Sequence, residues 1–135
     1  MTAAAIRSES RHAPSDRPQI LLVEDDAGVR RSLQLLLEGE GYGVRAFGTS
    51  SALLADFRAA DADCLVTDYR LDDRDGISLL HALRAAGWSG PAMLMTAFGS
   101  PAMAERARRE GFAQLFDKPF KPHLLVEAIG RALQG

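Results

Sequence analysis

The sequence predicts an α/β fold in which five parallel strands form one doubly wound sheet with helices on both faces. Short apolar runs alternate five times along the chain with stretches whose apolar residues recur at helical spacing. Such βα units joined by short connections are typical of a parallel sheet covered on both sides. The chain has 135 residues, 47% of them apolar and 25% charged, which fits about one globular domain.

The beginning of the chain differs from the rest. Residues 1–18 contain Ala, Ser, Pro and mixed charges with little apolar periodicity, so we expect a mobile N-terminal tail before a domain over residues 19–135. The apolar run at residues 20–23 then predicts a strand that is buried on both faces. Apolar residues at helical spacing predict the first helix at residues 29–37, and a glycine-rich stretch marks its end.

The same alternation repeats four more times. Apolar runs predict the remaining strands at residues 42–47, 64–67, 91–96 and 113–117. Periodic apolar residues predict the remaining helices at about residues 50–59, 77–87, 100–110 and 124–133. The helix at residues 50–59 has Leu53, Leu54 and Phe57 as its apolar positions.

The composition excludes several classes of protein. The 16 basic and 18 acidic residues give a net charge of −2, which is too balanced for a bulk nucleic-acid binder or a polybasic membrane anchor. No apolar run reaches about 18 residues, and residues 1–17 have no apolar segment of the kind found in secretion signals. The one cysteine, Cys64, cannot form an internal disulfide. We therefore expect a cytoplasmic protein that binds neither nucleic acid nor membrane directly.

Acidic, hydroxyl and basic side chains stand where the predicted strands end. The first strand ends in Glu24 and Asp25, the third in Asp68, the fourth in Thr96, and the fifth is followed by Lys118. Because the carboxyl ends of parallel strands meet at one edge of a sheet, we expect these side chains to converge. A carboxylate directly after a buried run, such as Asp68, is costly unless it is solvated, paired or metal-bound. The alternative for Asp68 is a cap on a helix or loop.

The acidic residues predict a cation site. Two carboxylates about 4 Å apart repel each other by roughly 4 kcal/mol at an effective dielectric constant of about 20. A hard divalent cation removes this repulsion, and Mg²⁺, with Mn²⁺ as an alternative, binds carboxylates together with phosphate oxygens. We expect Asp25 and Asp68 to be direct ligands and Glu24 to act through water. For Asp26, a place at the start of a helix, where the helix dipole favours negative charge, explains an acidic residue as well as a cation site does.

These residue types together are suited to forming an aspartyl phosphate. Asp68 would be the nucleophile, and Lys118 and the cation would neutralise the phosphoryl oxygens. The Thr96 hydroxyl and a backbone N–H after it would donate hydrogen bonds to the same oxygens. Taken by itself, Thr96 is also explained as a common strand residue, and Lys118 as an exposed residue at the end of a strand. The prediction depends on their joint placement.

Four motifs follow one another in a fixed order: Glu24-Asp25, the strand Leu-Val-Thr-Asp-Tyr-Arg-Leu that contains Asp68, Thr96-Ala97, and Lys118-Pro119-Phe120. In order and spacing they resemble the receiver domain of two-component response regulators, and most of all receivers of the FixJ type. The resemblance covers about residues 19–133. It implies a flavodoxin-like (βα)5 fold with strand order 2-1-3-4-5.

The resemblance also implies a role for each matching residue. Asp68 matches the phosphoacceptor, and Asp25 and Asp68 match the Mg²⁺ ligands. Glu24 matches the second acidic position, and the backbone carbonyl of Arg70 matches the last ligand that the protein supplies. Thr96 matches the switch hydroxyl.

Lys118 matches the lysine that contacts the phosphoryl group, and Pro119 matches a proline that follows a cis peptide bond. Three positions depart from the family pattern. Asp72 stands where a proline is usual, and Glu24 stands where Asp is also common. Leu115 stands where the family usually has Tyr or Phe as the second switch residue. We expect the chemistry to survive these changes and the coupling through Leu115 to be weak.

The sequence therefore predicts a response regulator receiver that accepts a phosphoryl group from a sensor histidine kinase or a histidine phosphotransfer protein. We expect it to switch protein–protein interactions, with no enzymatic activity beyond self-catalysed phosphorylation and dephosphorylation. Because the chain ends two residues after Leu133, we expect a single-domain regulator without a DNA-binding output. The alternatives are a receiver fragment of a longer transcriptional regulator and a receiver-like interaction module that is not phosphorylated.

Two other functions fit less well. A haloacid-dehalogenase-like phosphatase needs a second acid two residues after its nucleophile, and Arg70 occupies that position. Flavin binding stays open because a fold does not determine a function. The surface formed by the last strand and the two helices around it carries mixed charges, which suits a homodimer and suits an ordinary solvated face equally well.

Overall fold

The computed structural model describes residues 17–56 and 58–134. Within these ranges the strands are β1 (Gln19–Val23), β2 (Gly43–Phe47), β3 (Cys64–Asp68), β4 (Ala92–Thr96) and β5 (Gln114–Asp117). The α-helices are α1 (Ala27–Gly39), α2 (Ser50–Leu54), α3 (Gly76–Ala85), α4 (Pro101–Arg109) and α5 (Pro122–Gln134). Of the expected N-terminal tail, all but Arg17 and Pro18 lies outside the described residues.

The five strands form one parallel sheet in the order β2-β1-β3-β4-β5. This confirms the predicted fold class and strand order. Strand β1 pairs with β2 on one side and with β3 on the other, so the chain passes to opposite faces of the sheet from this strand. In such sheets a crevice opens at the carboxyl ends of the strands where the order reverses.

Alternate residues of the central strands pack on opposite faces. Leu21, Leu65 and Leu94 face one hydrophobic cluster, which α2, α3 and α4 cover. Ile20 and Val66 face a second cluster, which α1 and α5 cover. Since β1, β3 and β4 have helices on both faces, their apolar residues are almost fully buried. Burying one such aliphatic side chain stabilises the fold by about 1.5–3 kcal/mol, and this fixes the strand ends that form the crevice.

The second predicted helix is shorter than the periodicity suggested. Helix α2 ends at Leu54, and a short 3₁₀ helix at Ala59–Asp61 follows it. The Asp56 carboxylate accepts hydrogen bonds from the Arg58 backbone N–H at 2.9 Å and from the Arg45 guanidinium at 3.1 Å. Such local side-chain bonds compete with the helical pattern and end the helix. Leu53 is buried and Leu54 is 37% exposed, whereas Phe57 lies outside the described residues.

Three helices end at a glycine in the left-handed region. Gly41, Gly87 and Gly111 have φ angles of 98°, 99° and 109° and follow α1, α3 and α4. Because a side chain at such a φ is strained, glycine is the usual residue at this position. Gly39, the first glycine of the stretch that was expected to mark the end of the first helix, is itself the last residue of α1.

Trp88 is packed between the end of α3 and the start of β4. It is 7% exposed, and its indole N–H donates to the Ala62 carbonyl at 2.9 Å. The Arg84 guanidinium lies 5.1 Å from the ring centroid and donates to the Gly90 carbonyl at 2.8 Å. Trp88 therefore fixes the connection into β4 at the amino edge of the sheet. Across residues 17–56 and 58–134, no helix has the length and apolar character needed to cross a membrane.

Burial predicts an unreactive thiol at Cys64. The side chain is fully buried at the start of β3, and burial raises the pKa of the Cys64 thiol to about 12. Because the thiolate is the reactive form, the folded protein should not react with a thiol reagent at pH 8, and the protein in denaturant should react with one equivalent. Absorbance after addition of an aromatic disulfide reagent measures both rates. A folded-state rate equal to the denatured rate contradicts the burial of Cys64.

Candidate functional site

Three carboxylates meet at the carboxyl edge of the sheet. Glu24 and Asp25 follow β1, and Asp68 ends β3. One oxygen of each of these residues lies within 4.8 Å of the others. Glu24 is 1% exposed and Asp68 is 8% exposed, whereas Asp25 is open to solvent. The structure thus brings together the three predicted acidic residues, two of them inside the fold.

The Lys118 ammonium lies between the two buried carboxylates. Its Nζ is 2.7 Å from Glu24 Oε1 and 3.2 Å from Asp68 Oδ2. Lys118 is placed by the end of β5, where its backbone N–H donates to the Thr96 carbonyl at 2.7 Å. One cation therefore links residues that are 94 and 50 positions away in the sequence.

Burial dominates the electrostatics of these groups. Desolvation raises the pKa of Glu24 and of Asp68, and the Lys118 ammonium only partly opposes this rise. The charge of Asp25 raises the pKa of Asp68 further. Burial would lower the pKa of Lys118, but its hydrogen bond to Glu24 and the charges of both carboxylates outweigh burial, so that pKa is raised. The site thus holds more negative charge than Lys118 compensates.

The segment after β1 is held by local hydrogen bonds. The Arg30 guanidinium donates to the Glu24 carbonyl at 2.8 Å, and the Asp26 backbone N–H donates to Glu24 Oε2 at 3.1 Å. The Asp26 carboxylate accepts from the Val29 backbone N–H at 3.0 Å and caps α1. Asp26 therefore belongs to the helix start, and Arg30 fixes the backbone beside Glu24.

Thr96 ends β4 on the strand next to Asp68. It is 2% exposed, and its hydroxyl accepts a hydrogen bond from the Phe98 backbone N–H at 3.1 Å. The loop that follows is fixed a second time, because the Gly99 backbone N–H donates to the Asp117 carboxylate at 3.1 Å. A side chain at position 99 would collide with that carboxylate. Asp117 thus ties the loop after Thr96 to the end of β5.

The loop after Asp68, residues 69–75, is closed at its base. The Tyr69 backbone N–H donates to the Met95 carbonyl, and the Gly76 N–H donates to the Tyr69 carbonyl, both at 2.7 Å. Arg70 and Asp75 form an isolated antiparallel bridge. The Arg70 guanidinium lies 5.3 Å from the centroid of the Phe98 ring, which is 71% exposed. Arg70 and Phe98 thus connect the two loops beside the site.

The remaining predicted residues lie on β5 and directly after it. The peptide bond between Lys118 and Pro119 is cis, the form that the resemblance implies. Leu115 is half-buried against the cluster under α2, α3 and α4, and Phe116 is buried in the cluster under α1 and α5. Leu115 and Phe116 therefore face opposite sides of the sheet. Asp72 lies exposed in the loop after Asp68.

Sequence reasoning missed three residues that act beside the site: Asp73, Asp117 and Arg30. Asp73 accepts hydrogen bonds from the backbone N–H groups of Ser50 and Ser51, and Asp117 holds Gly99. Each of these bonds joins residues that are 18 or more positions apart, so no local spacing marks them. Arg30 lies six residues after Glu24, across the start of α1, and this short separation is the signal that could have indicated its contact with the Glu24 carbonyl.

The sequence profile of the response regulator receiver domain matches residues 20–130. The chain belongs to the response regulator receiver family. Its fold is that of this family's solved structures.

The receiver is 33% identical over 115 residues to the transcriptional regulatory protein FixJ of Bradyrhizobium diazoefficiens, covering 85% of this chain and 56% of that protein. It is 30% identical over 121 residues to the response regulator protein TodT of Pseudomonas putida, covering 89% of this chain and 53% of that protein. The chain thus spans about half the length of these curated relatives. The crystal structure of FixJ-N is similar with a TM-score of 0.76 at 32% identity, covering 89% of this chain and 96% of that one.

The residues of the receiver fit a hard divalent cation. The cluster offers carboxylate oxygens only, which are the donors that Mg²⁺ prefers. Burial raises the pKa of two of these acids although an ammonium group lies against them. A divalent cation would supply the missing positive charge. Of the three carboxylates, Asp25 is open to solvent, so a cation would reach the cluster from the side of Asp25.

Gly76 lies against the backbone of Asp68, so a side chain there should disturb the site. A Cβ at position 76 would lie 2.5 Å from the Asp68 carbonyl oxygen and 3.0 Å from Leu94 Cδ1. Gly76→Ala should therefore lower the free energy of unfolding by about 1–3 kcal/mol. The control is Gly39→Ala, where no atom lies within 4 Å and stability should stay equal or rise by up to about 1 kcal/mol. Urea denaturation measures both variants, and equal stabilities would contradict the close contact at Asp68.

Proposed function

We propose that this receiver accepts a phosphoryl group on Asp68 in a Mg²⁺-dependent reaction, with a sensor histidine kinase or a histidine phosphotransfer protein as the donor. We assign the receiver to residues 19–135, after an N-terminal tail at residues 1–18. The protein is a phosphoacceptor whose own catalysis is limited to its phosphorylation and dephosphorylation. The switch output is a change in protein–protein contacts.

One observation carries this proposal. A buried aspartate at the end of β3 lies within 4.8 Å of two further carboxylates and 3.2 Å from a lysine ammonium. A salt bridge that served stability alone would not need a third carboxylate beside an already paired cluster, because like charges repel. A nucleophile flanked by an acidic oxygen cluster and an ammonium group is suited to phosphoryl transfer.

The reaction needs few groups. An oxygen of the Asp68 carboxylate attacks the phosphorus of a phosphohistidine, a P–O bond forms, and the P–N bond breaks as the histidine nitrogen leaves with its electron pair. Asp25, Asp68 and the Arg70 carbonyl, with Glu24 acting through water, would hold Mg²⁺, which when bound would neutralise charge on the phosphoryl oxygens. Lys118 exchanges its contact with Asp68 for the phosphoryl group. The Thr96 hydroxyl turns from the Phe98 N–H and donates to the same group.

A second candidate is a receiver within a longer transcriptional regulator. The chain covers 56% of a relative that is named as a transcriptional regulatory protein. In that relative, the matching region is therefore about half of a longer chain. A single-domain regulator that acts by protein–protein contact is the other candidate. The length of the native gene product distinguishes the two.

Asp68→Asn should abolish phosphorylation because it removes the nucleophilic oxygen. Incubation with acetyl phosphate and Mg²⁺ should add one phosphoryl group to the original protein by intact mass, and none to Asp68→Asn. The matched control is Asp72→Asn, which makes the same change of charge in the neighbouring loop and should be phosphorylated normally. Uptake by Asp68→Asn on the folded protein, or uptake that EDTA does not reduce, contradicts the proposal.

Lys118→Ala should separate metal binding from the response to phosphorylation. The variant frees Glu24 and Asp68 from a competing cation, so Mg²⁺ affinity measured by calorimetry should be kept or rise. On phosphorylation, the amide NMR shifts of Ala97 and Gly99 should change much less in Lys118→Ala than in the original protein, because no ammonium group remains to attract the phosphoryl group. The control is Lys121→Ala, which changes the exposed second lysine. Full-sized shifts in Lys118→Ala would remove Lys118 from this role.

Leu115 should contribute little to the switch. A leucine has neither a ring nor a hydroxyl, so its contacts in the unphosphorylated and phosphorylated states differ little. Phosphorylation can shift the equilibrium between these states through a residue only where its contacts differ.

We propose that phosphorylation promotes a homodimer through the surface of α4, β5 and α5. Sedimentation velocity should show phosphorylation-dependent dimers for both the original protein and Leu115→Ala. A strict monomer at high concentration rejects the dimer, and loss of dimers in Leu115→Ala alone makes Leu115 a switch residue.

A further inference from the structure

The loop at residues 69–75 joins β3 to α3, and its apex is fixed from outside. Hydrogen bonds at Tyr69, Gly76 and the Arg70–Asp75 bridge close its base. From the apex, Asp73 Oδ1 accepts from the Ser50 backbone N–H at 3.2 Å, and Asp73 Oδ2 accepts from the Ser51 backbone N–H at 2.9 Å. Asp73 Oδ2 also accepts from the Ser51 hydroxyl at 2.5 Å. Three hydrogen bonds thus join the apex to the start of α2.

Asp73 completes the cap of a helix to which it does not belong. Thr49 is the N-cap of α2, and its hydroxyl satisfies the Ala52 backbone N–H at 3.1 Å. The two N–H groups before Ala52 are satisfied by Asp73, which is 22 or more residues away. The first N–H groups of a helix have no partner inside the helix, and a carboxylate there accepts strong hydrogen bonds. The Ser51 hydroxyl bond holds the pKa of Asp73 well below its ordinary range, the direction expected for a carboxylate that accepts several hydrogen bonds.

The position of this apex matters for the site because the same loop carries Arg70. The carbonyl of Arg70 is a backbone group, so no rotamer can place it, and its direction follows from the path of the loop. Asp72 and Arg74, on either side of Asp73, are exposed and make no hydrogen bond to another residue in the described ranges. Leu71 packs against the cluster under α2, α3 and α4, and Asp73 is the residue of residues 71–74 whose side chain hydrogen-bonds to another element.

We propose that Asp73 is a positioning residue of the cation site: by docking on the start of α2 it fixes the loop that presents the Arg70 carbonyl. This inference rests on the proposed function of Asp68 and its cation, and it adds a residue outside the acidic cluster. Groups that orient metal ligands from outside the ligand set commonly change metal affinity by 10- to 100-fold when they are removed. We expect an effect of about tenfold here, because Tyr69 and Gly76 still hold the base of the loop.

The first arm of the test uses metal-free protein in EDTA. The backbone N–H groups of Ser50 and Ser51 lose their acceptor in Asp73→Ala, so their hydrogen exchange should accelerate at least tenfold, and it should remain unchanged in Asp72→Ala. The backbone order parameters of residues 71–75, measured by ¹⁵N relaxation, should fall in Asp73→Ala and stay unchanged in Asp72→Ala. Thr49→Ala is the control for α2, because it weakens the helix cap without touching the loop, and it should accelerate exchange at residues 50–52 without changing the order parameters of residues 71–75. Equal order parameters of residues 71–75 in Asp73→Ala and the original protein would overturn the inference.

The second arm measures Mg²⁺ affinity by calorimetry on the same proteins. Asp73→Ala should bind about tenfold more weakly, whereas Asp72→Ala, which removes the same charge from the next position, should stay within twofold. Asp73→Asn keeps one acceptor oxygen and should recover part of the affinity; it also serves if the alanine variant does not fold. Equal losses in Asp72→Ala and Asp73→Ala would mean that charge alone acts, and would overturn the positioning role. If the original protein binds no Mg²⁺, the proposed function itself fails.

Discussion

The Lys118 ammonium lies between two carboxylates that the fold has removed from water. Glu24 directly follows β1 and Asp68 ends β3, and since the apolar residues of both strands are buried on both faces, these two carboxylates are buried as well. An unpaired buried charge destabilises a domain by several kcal/mol, and a pair becomes tolerable when geometry and hydrogen bonds are good. The path of β5 and the hydrogen bonds around Glu24 keep that ammonium in place. Without Lys118, the three carboxylates would lose the ammonium group that compensates part of their charge.

The features that repeat along the chain could be predicted, and those that depend on contacts between distant residues could not. Periodicity found all five strands and placed Glu24, Asp68, Thr96 and Lys118 at one edge, because parallel strands share an edge whatever their loops do. It overestimated α2, since Asp56 bonds locally and ends the helix, which apolar spacing does not register. The ion pairs of Lys118 follow from tertiary packing across as many as 94 residues, and no pattern in the sequence specifies them.

Carboxylates fix both loops beside Asp68. Asp73 holds the loop after β3 through two backbone N–H groups, and Asp117 holds the loop after β4 through the Gly99 N–H. Each contact joins a side chain to a backbone, so it constrains the main chain, which under the proposed function would present carbonyl and N–H groups to a cation and a phosphoryl group. The two carboxylates differ in the number of hydrogen bonds that they accept. Asp73 accepts three, whereas Asp117 accepts one from the loop after β4, where the Phe98 N–H also donates to the Thr96 hydroxyl.

Trp88 is the one tryptophan of the chain, and its place gives the protein a built-in optical reporter. It lies at the amino edge of β4, and a five-residue strand, about 16 Å long, separates it from Thr96 and the acidic cluster. Its indole is buried and bonded to Ala62, so its emission reflects the packing of α3 against the sheet. At that distance, an event at the carboxyl edge of the sheet quenches the Trp88 emission only weakly. Intrinsic fluorescence therefore reads the integrity of the fold independently of what occupies the site, which allows stability and ligand binding to be recorded in one sample through separate signals.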